Sequence, residues 1–139
     1  LKHITPNPIM EAAPSGGRTP ALTQYLEGLE VLERLDPGVI LPGHGKNIED
    51  CKEAAARAKN HHRQRLRAVL AILAGDEGLT AYQVMRQLYP AISGFQIYLG
   101  ISEVFAHLDY LLGQGRITRE ERGQAAYFKT LIDVKEGAN

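Results

Sequence analysis

The chain has 139 residues, room for one domain or for a small domain plus a piece of another. Hydrophobic residues make up 44% and charged residues 23%, with a formal net charge of zero, which suits a soluble globular fold and lacks the basic excess of a sequence-independent nucleic-acid or anionic-membrane binder. The single cysteine, Cys51, excludes an internal disulfide and fits a reducing cytoplasm, while no apolar run approaches the ~20 residues of a membrane-spanning helix and no signal-peptide pattern opens the chain.

The first twenty residues, "LKHITPNPIMEAAPSGGRTP", are dense in Pro and Gly and read as a long loop, extended around the prolines. The next stretch, "TPALTQYLEGLEVLERLDPG", reads as a helix. Thr19 is its expected N-cap and Pro20 its first residue, with Leu22, Leu26, Leu29 and Leu32 at helical spacing and Pro37-Gly38 as the stop. "VILPGH" is a short apolar strand. A long helix is expected from about Ile48 to Ala74, with Ile48, Cys51, Ala55, Ala58, Leu66, Val69 and Leu73 on one apolar stripe and His62 in its middle.

The rhythm then changes. "LTAYQVMRQLYP" is a short helix with Thr80 as N-cap. "ISEVFAHLDYLLGQG" is a second helix, apolar at Ile101, Val104, Phe105, Leu108, Leu111 and Leu112. "RITR" and "AAYFKTL" are two strands around the turn "EERGQ". Three helices followed by a β-hairpin is the order of a winged helix.

The stretch that stands out is "VILPGHGKNI", where His44 sits between Gly43 and Gly45 as a strand gives way to a loop. Glycines permit backbone angles closed to other residues and let neighbouring backbone approach. Such a mount suits a metal ligand, whose imidazole nitrogen must point into a shared cavity.

Taken in order, the loop "HITPNP", the helix "YLEGLEVLERLDP", the strand "VILPGHG", the long helix with "HHRQR" and the winged helix resemble the C-terminal portion of a metallo-β-lactamase-fold hydrolase. More narrowly they resemble the β-lactamase-like branch with an appended winged-helix domain. The resemblance implies an α+β fold. Residues 1–60 would be an incomplete metallo-β-lactamase segment of helix, strand and long helix, and residues 61–139 a winged helix. It also implies that His44 is a ligand of a two-metal, usually zinc, centre that generates hydroxide at neutral pH and polarises the scissile bond. The expected substrates of a full-length parent are thioesters or esters, or RNA phosphodiesters.

The superfamily's His-x-His-x-Asp-His cluster, a further His and a bridging Asp are not in this sequence, and the chain opens on Leu1. One His cannot hold a catalytic zinc, which needs about three protein ligands. The expectation is therefore a C-terminal fragment, inactive alone, whose first partner is the missing N-terminal catalytic part. Its unpaired strand would invite self-association. The rival reading is a non-enzymatic winged-helix module that binds nucleic acid or protein.

Other residues have plainer readings. His3 is a loop residue beside the position of the missing Asp. His62 reads as a buried histidine satisfied by backbone, and Arg63 and Arg65 as a solvated helix face rather than contacts to an anionic substrate. His61 and His62 point about 100° apart, which argues against shared metal ligation. Glu33 and Asp36 form a charged helix end. On the second helix of the winged-helix part, Glu103, His107, Tyr110 and Gln114 are expected on the outward face. That face has no Lys or Arg, and Arg116, Arg119, Arg122 and Lys129 at the hairpin are balanced partly by Glu120 and Glu121, which argues against sequence-specific DNA binding. Tyr82, Tyr89, Phe95, Tyr98 and Tyr110 fit either a core or a substrate platform.

Overall fold

The structure, a computed structural model, describes residues 9–75 and 77–131. Within them lie four helices and one three-stranded antiparallel sheet, an α+β arrangement: α1 (Ala21–Leu35), α2 (Cys51–Ile72), β1 (Leu79–Thr80), α3 (Ala81–Leu88), α4 (Phe95–Gly113), β2 (Ile117–Arg122) and β3 (Ala125–Thr130). The strand order is β1-β3-β2.

Helix α1 starts one residue later than the sequence suggests. Pro20 is the N-cap, with no side-chain cap, and the chain leaves through Asp36 in the left-handed region at φ 43°. Helix α2 is shorter at both ends than expected. The Asp50 side chain accepts a hydrogen bond from the Glu53 N–H at 2.7 Å and so fixes its start at Cys51. It runs without a break across position 60. Of the expected stripe Cys51, Ala55 and Val69 are buried, with His62 in its middle, Ala58 and Leu66 are half-buried, and Ile48 lies before the helix. Helix α3 opens with a capping box between Thr80 and Gln83.

Helix α4 begins at Phe95, six residues before the apolar run that announced it. Gly100 hides the first turns, because it interrupts the stripe. Its place is explained by packing: a Cβ there would lie 2.7 Å from Ile92 Cδ1 and 3.2 Å from Met85 Cγ, so any larger residue would push those side chains aside.

The strand expected at "VILPGH" is a single antiparallel bridge, Ile40 to Ile48, with N···O distances of 2.9 and 3.0 Å. No longer ladder forms there among the described residues. Conversely, β1 was invisible in the sequence, since two residues carry no alternation. It exists because Leu79 and Thr80 pair with Phe128 and Tyr127. The β2–β3 hairpin is tighter than "EERGQ" suggests, with Arg122 opposite Ala125.

The core is built where α2, α3, α4 and the sheet meet: Val69, Leu73, Ala81, Val84, Met85, Val104, Leu108, Leu111, Ile117 and Phe128. Leu66, Leu88, Phe105 and Leu112 pack against it half-buried. Helix α1 lies on α2 and α4. The residues before α1 are tied down as well. Arg18 donates two hydrogen bonds to Asp109, at 2.8 and 2.6 Å, and its guanidinium lies 4.3 Å from the centre of the Phe105 ring. Thr19 N–H donates to the Glu11 carbonyl at 2.9 Å.

A bidentate, part-buried pair of this kind stabilises by on the order of 1–2 kcal/mol. Arg18→Ala should therefore lower stability by about that amount. Amide hydrogen exchange at Ala13, Gly16 and Thr19 should accelerate more than in α3. Equal acceleration everywhere would mean that the pair does not anchor this segment.

Candidate functional site

His44 lies in the loop that the Ile40–Ile48 bridge closes, and it is exposed. Gly45 takes φ 92°, so the residue after the histidine must be glycine. Gly43 differs from expectation: its φ is not positive, and a Cβ there would meet nothing within 4 Å. Only one of the two flanking glycines is demanded by conformation. The described residues contain no group of three or more His, Cys, Asp or Glu side chains that could hold a metal ion. His44 is thus one donor in open surroundings, and these residues do not form a zinc site by themselves. His3 lies outside the described residues.

The buried titratable cluster is elsewhere, between α1, α2 and α4, and the sequence reading of it was only half right. His62 is 1% exposed, yet its partner is not backbone. Its Nδ1 lies 3.2 Å from Nε2 of His107, and Tyr25 and His61 meet its ring edge-on at centroid distances of 5.3 Å. His107, expected on the outward face of α4, is fully buried. The physical reason is that α4 is covered on this side by α1 and α2, so the face opposite its apolar stripe is a second interior face.

The backbone fixes the tautomers. His107 Nδ1 lies 2.7 Å from the Glu103 carbonyl, which can only accept, so Nδ1 carries the proton. Nε2 of neutral His107 is then an acceptor, and His62 Nδ1–H donates to it. His62 Nε2 is left as a buried acceptor with no hydrogen-bond partner. Burial, followed by the neighbouring His107 and His61, pushes the His62 pKa down to about 4. Burial also pushes that of His107 down.

Beside this pair, Arg65 is not on a solvated face. Its Nε donates to Glu103 Oε1 at 3.0 Å and its guanidinium lies 4.8 Å from the centre of the Tyr89 ring. Burial, with Glu103 adding to it, holds the Tyr89 phenol well above its usual range. Lys59 pairs with Glu33 at 2.6 Å and Lys52 with Asp36 at 2.6 Å, so the charged end of α1 is stitched to α2. Arg63 stays exposed. The hairpin arginines are neutralised in place, Arg119 by Glu121 and Arg122 by Glu120 at 2.8 Å. Of the aromatics, Phe95 and Tyr98 are stacked and exposed, while Tyr89 packs on the core.

No family model matches the chain. It is 35% identical over 132 residues to the probable metallo-hydrolase YqjP of Bacillus subtilis (strain 168), a match covering 94% of this chain and 41% of that protein. The crystal structure of a metallo-beta-lactamase family protein from Thermus thermophilus superposes with a TM-score of 0.73 at 28% identity, over 94% of this chain and 39% of that one. The proteins that this chain resembles are metallo-beta-lactamase family members. A beta-lactamase domain protein from Burkholderia ambifaria shares the fold, with a TM-score of 0.73 at 24% identity over 81% of this chain and 34% of that one. The chain thus spans between a third and about two fifths of the length of these proteins. No described helix is long and apolar enough to cross a membrane.

The histidine pair gives a pH prediction. Both pKa values are lowered by folding, so both groups contribute stability above the unfolded value near 6.5, and the share of His62 is lost as pH falls through about 4. Between pH 7 and pH 4 His62 alone should cost on the order of 2–3 kcal/mol. Urea titrations at the two pH values measure it. A His62→Phe, His107→Phe double variant should lose most of the acid sensitivity; an unchanged pH slope in that variant would assign it to other groups.

Proposed function

We propose that this chain is the C-terminal part of a metal-dependent hydrolase of the metallo-beta-lactamase superfamily, with His44 supplying one ligand to a two-metal, zinc-type centre. The observation that carries the reading is the 35% identity to a probable metallo-hydrolase along 94% of the chain. The structure supports it in two ways. The His44 loop is held by the Ile40–Ile48 bridge and turned by Gly45, a mount that presents an imidazole outward. Val31, Leu35, Val39 and Leu41 leave an apolar surface exposed on α1 and the segment before that loop, where a preceding catalytic part would pack.

The remaining ligands would come from that preceding part, and the zinc, when bound, would supply hydroxide at neutral pH and Lewis acidity. This chain's own share is to hold one imidazole, through a loop whose base is stitched to α1 and α2. The substrate class in this reading is a thioester or ester, or an RNA phosphodiester. We further read residues 61–139 as a winged helix. Helix, short strand, two helices and a hairpin, with strand order β1-β3-β2, support it. Its outward surfaces do not favour nucleic acid as that domain's ligand, since Arg119 and Arg122 are paired with glutamates and α4 is covered on two sides.

The test is made in the longer protein that carries the His-x-His-x-Asp-His cluster. His44→Ala should lower bound zinc from two equivalents toward one, by elemental analysis, and cut ester turnover by about a hundredfold or more. The melting temperature should hold within about 2 °C, since His44 is exposed and buries no packing. Unchanged metal content and rate would refute its role as a ligand.

A further inference from the structure

Residues 87–102 are the longest charge-free run in the chain: sixteen positions without Asp, Glu, Lys or Arg, against nine for the next, residues 37–45. They lead from the end of α3 into the first half of α4. Part of the run belongs inside, where Tyr89, Ile92, Ile97 and Ile101 pack on the core. The rest faces outward. Phe95 is 75% exposed and Tyr98 46%, and their rings stack on each other with centroids 5.7 Å apart. Pro90 and Leu99 are exposed beside them, and Gln87 and Gln96 give an uncharged polar border. An aromatic, apolar centre depleted of charge, with a polar rim, is the composition of a protein–protein contact.

The patch is held rigid before anything meets it. Arg86 donates to the carbonyls of Ile92 and Pro90, at 3.1 and 3.0 Å, and so ties down the turn between α3 and α4. Gly100 packs against Ile92 and Met85. A fixed face loses little conformational entropy on association. The charges at the two ends of the run, Arg86 and Glu103, are both engaged, the first by those carbonyls and the second by Arg65.

Charge and position select the occupant. Nucleic acid or an anionic lipid surface calls for cations, and this face offers none. A twofold axis sets residues against themselves or their near neighbours, so a charge close to the axis meets its like. A face without charge satisfies that condition. Position separates it from the preceding catalytic part proposed above. The pairs Asp36–Lys52 and Glu33–Lys59, and His62–His107 and Arg65–Glu103, show α1 and α4 both running antiparallel to α2. Phe95 is therefore near the C-terminal end of α2, while the exposed Val31, Leu35 and Leu41 are near its N-terminal end, about 30 Å away along that helix.

We propose that this face joins two copies of the chain about a twofold axis, with the Phe95–Tyr98 stack of one copy against that of the other. At about 200 Å² per aromatic side chain, the exposed parts of the two rings and their apolar neighbours offer roughly 350 Å² per copy. A standard interface covers about 800 Å² per partner, so the dimer is weak and reversible. It does not depend on the metal reading.

Sedimentation equilibrium of the chain at pH 7 tests this. Between about 20 μM and about 1 mM the average mass should rise from 15.3 kDa toward twice that, with a dissociation constant of about 0.1–1 mM. Phe95→Glu and Phe95→Lys should each stay monomeric, because like charges would face each other across the axis, and an equal mixture of the two should associate again. Phe95 is exposed, so both variants should keep the melting temperature within about 2 °C. A Val31→Ser, Leu35→Ser double variant, at the other end of α2, should leave the dissociation constant unchanged. A constant 15.3 kDa over the whole range would overturn the proposal. So would association that survives Phe95→Glu, that the mixture fails to restore, or that the Val31 and Leu35 changes abolish. Co-flotation with phosphatidylcholine vesicles that Phe95→Glu abolishes would assign the face to lipid, and protection of the Phe95 ring in a monomeric longer protein would assign it to the preceding part; either overturns the proposal.

Discussion

Helix α4 has two buried sides, and the structure depends on how its second side is satisfied. One side carries Val104, Leu108 and Leu111 into the core. Another presents Glu103 and His107 to α2, where Arg65 and His62 meet them, and Asp109, turned well away from both around the helix, takes Arg18 from the segment before α1. A buried polar group that loses its partner costs more than an ordinary hydrogen bond gains. These three contacts therefore hold the first third of the chain in register on α4, and they specify where α1 and α2 sit as well as stabilising them there.

That arrangement links fold to function. The His44 loop is exposed and has a single bridge at its base, so its position comes from its neighbours. The Asp36–Lys52 and Asp50–Glu53 contacts frame it on either side, and α2 carries it back to α4 through His62. In the proposed enzyme a metal ligand must stay within fractions of an ångström of its productive place.

Much of the fold was legible in the sequence because its signals were local. Thr80 and Gln83 announce a cap, the Cys51-to-Leu73 stripe announces α2, and the alternation after Arg116 announces the hairpin. The errors share one cause, which is tertiary context. His107 reads as outward because a helix with one apolar stripe is expected to have one buried face, and only the placement of α1 and α2 covers the other. Gly100 reads as a break because its tight contact with Ile92 and Met85 lies on another element. The strand at Val39 shortens to a bridge because pairing needs a partner as well as a sequence. At the site, Gly45 could be recognised from composition, while the His62–His107 pair could not. Its two members are separated by 45 positions, and no spacing in the sequence links them.

The claim that these polar contacts make one cooperative body is tested most directly by native-state hydrogen exchange on the monomeric chain. The slowest amides of α1, around Leu29, should open with the same free energy and the same denaturant dependence as those of Val104 to Leu111 in α4. If α1 instead exchanges through an opening well below that of α4, while α4 keeps its full protection, then the contacts decorate the helix and do not join the two parts.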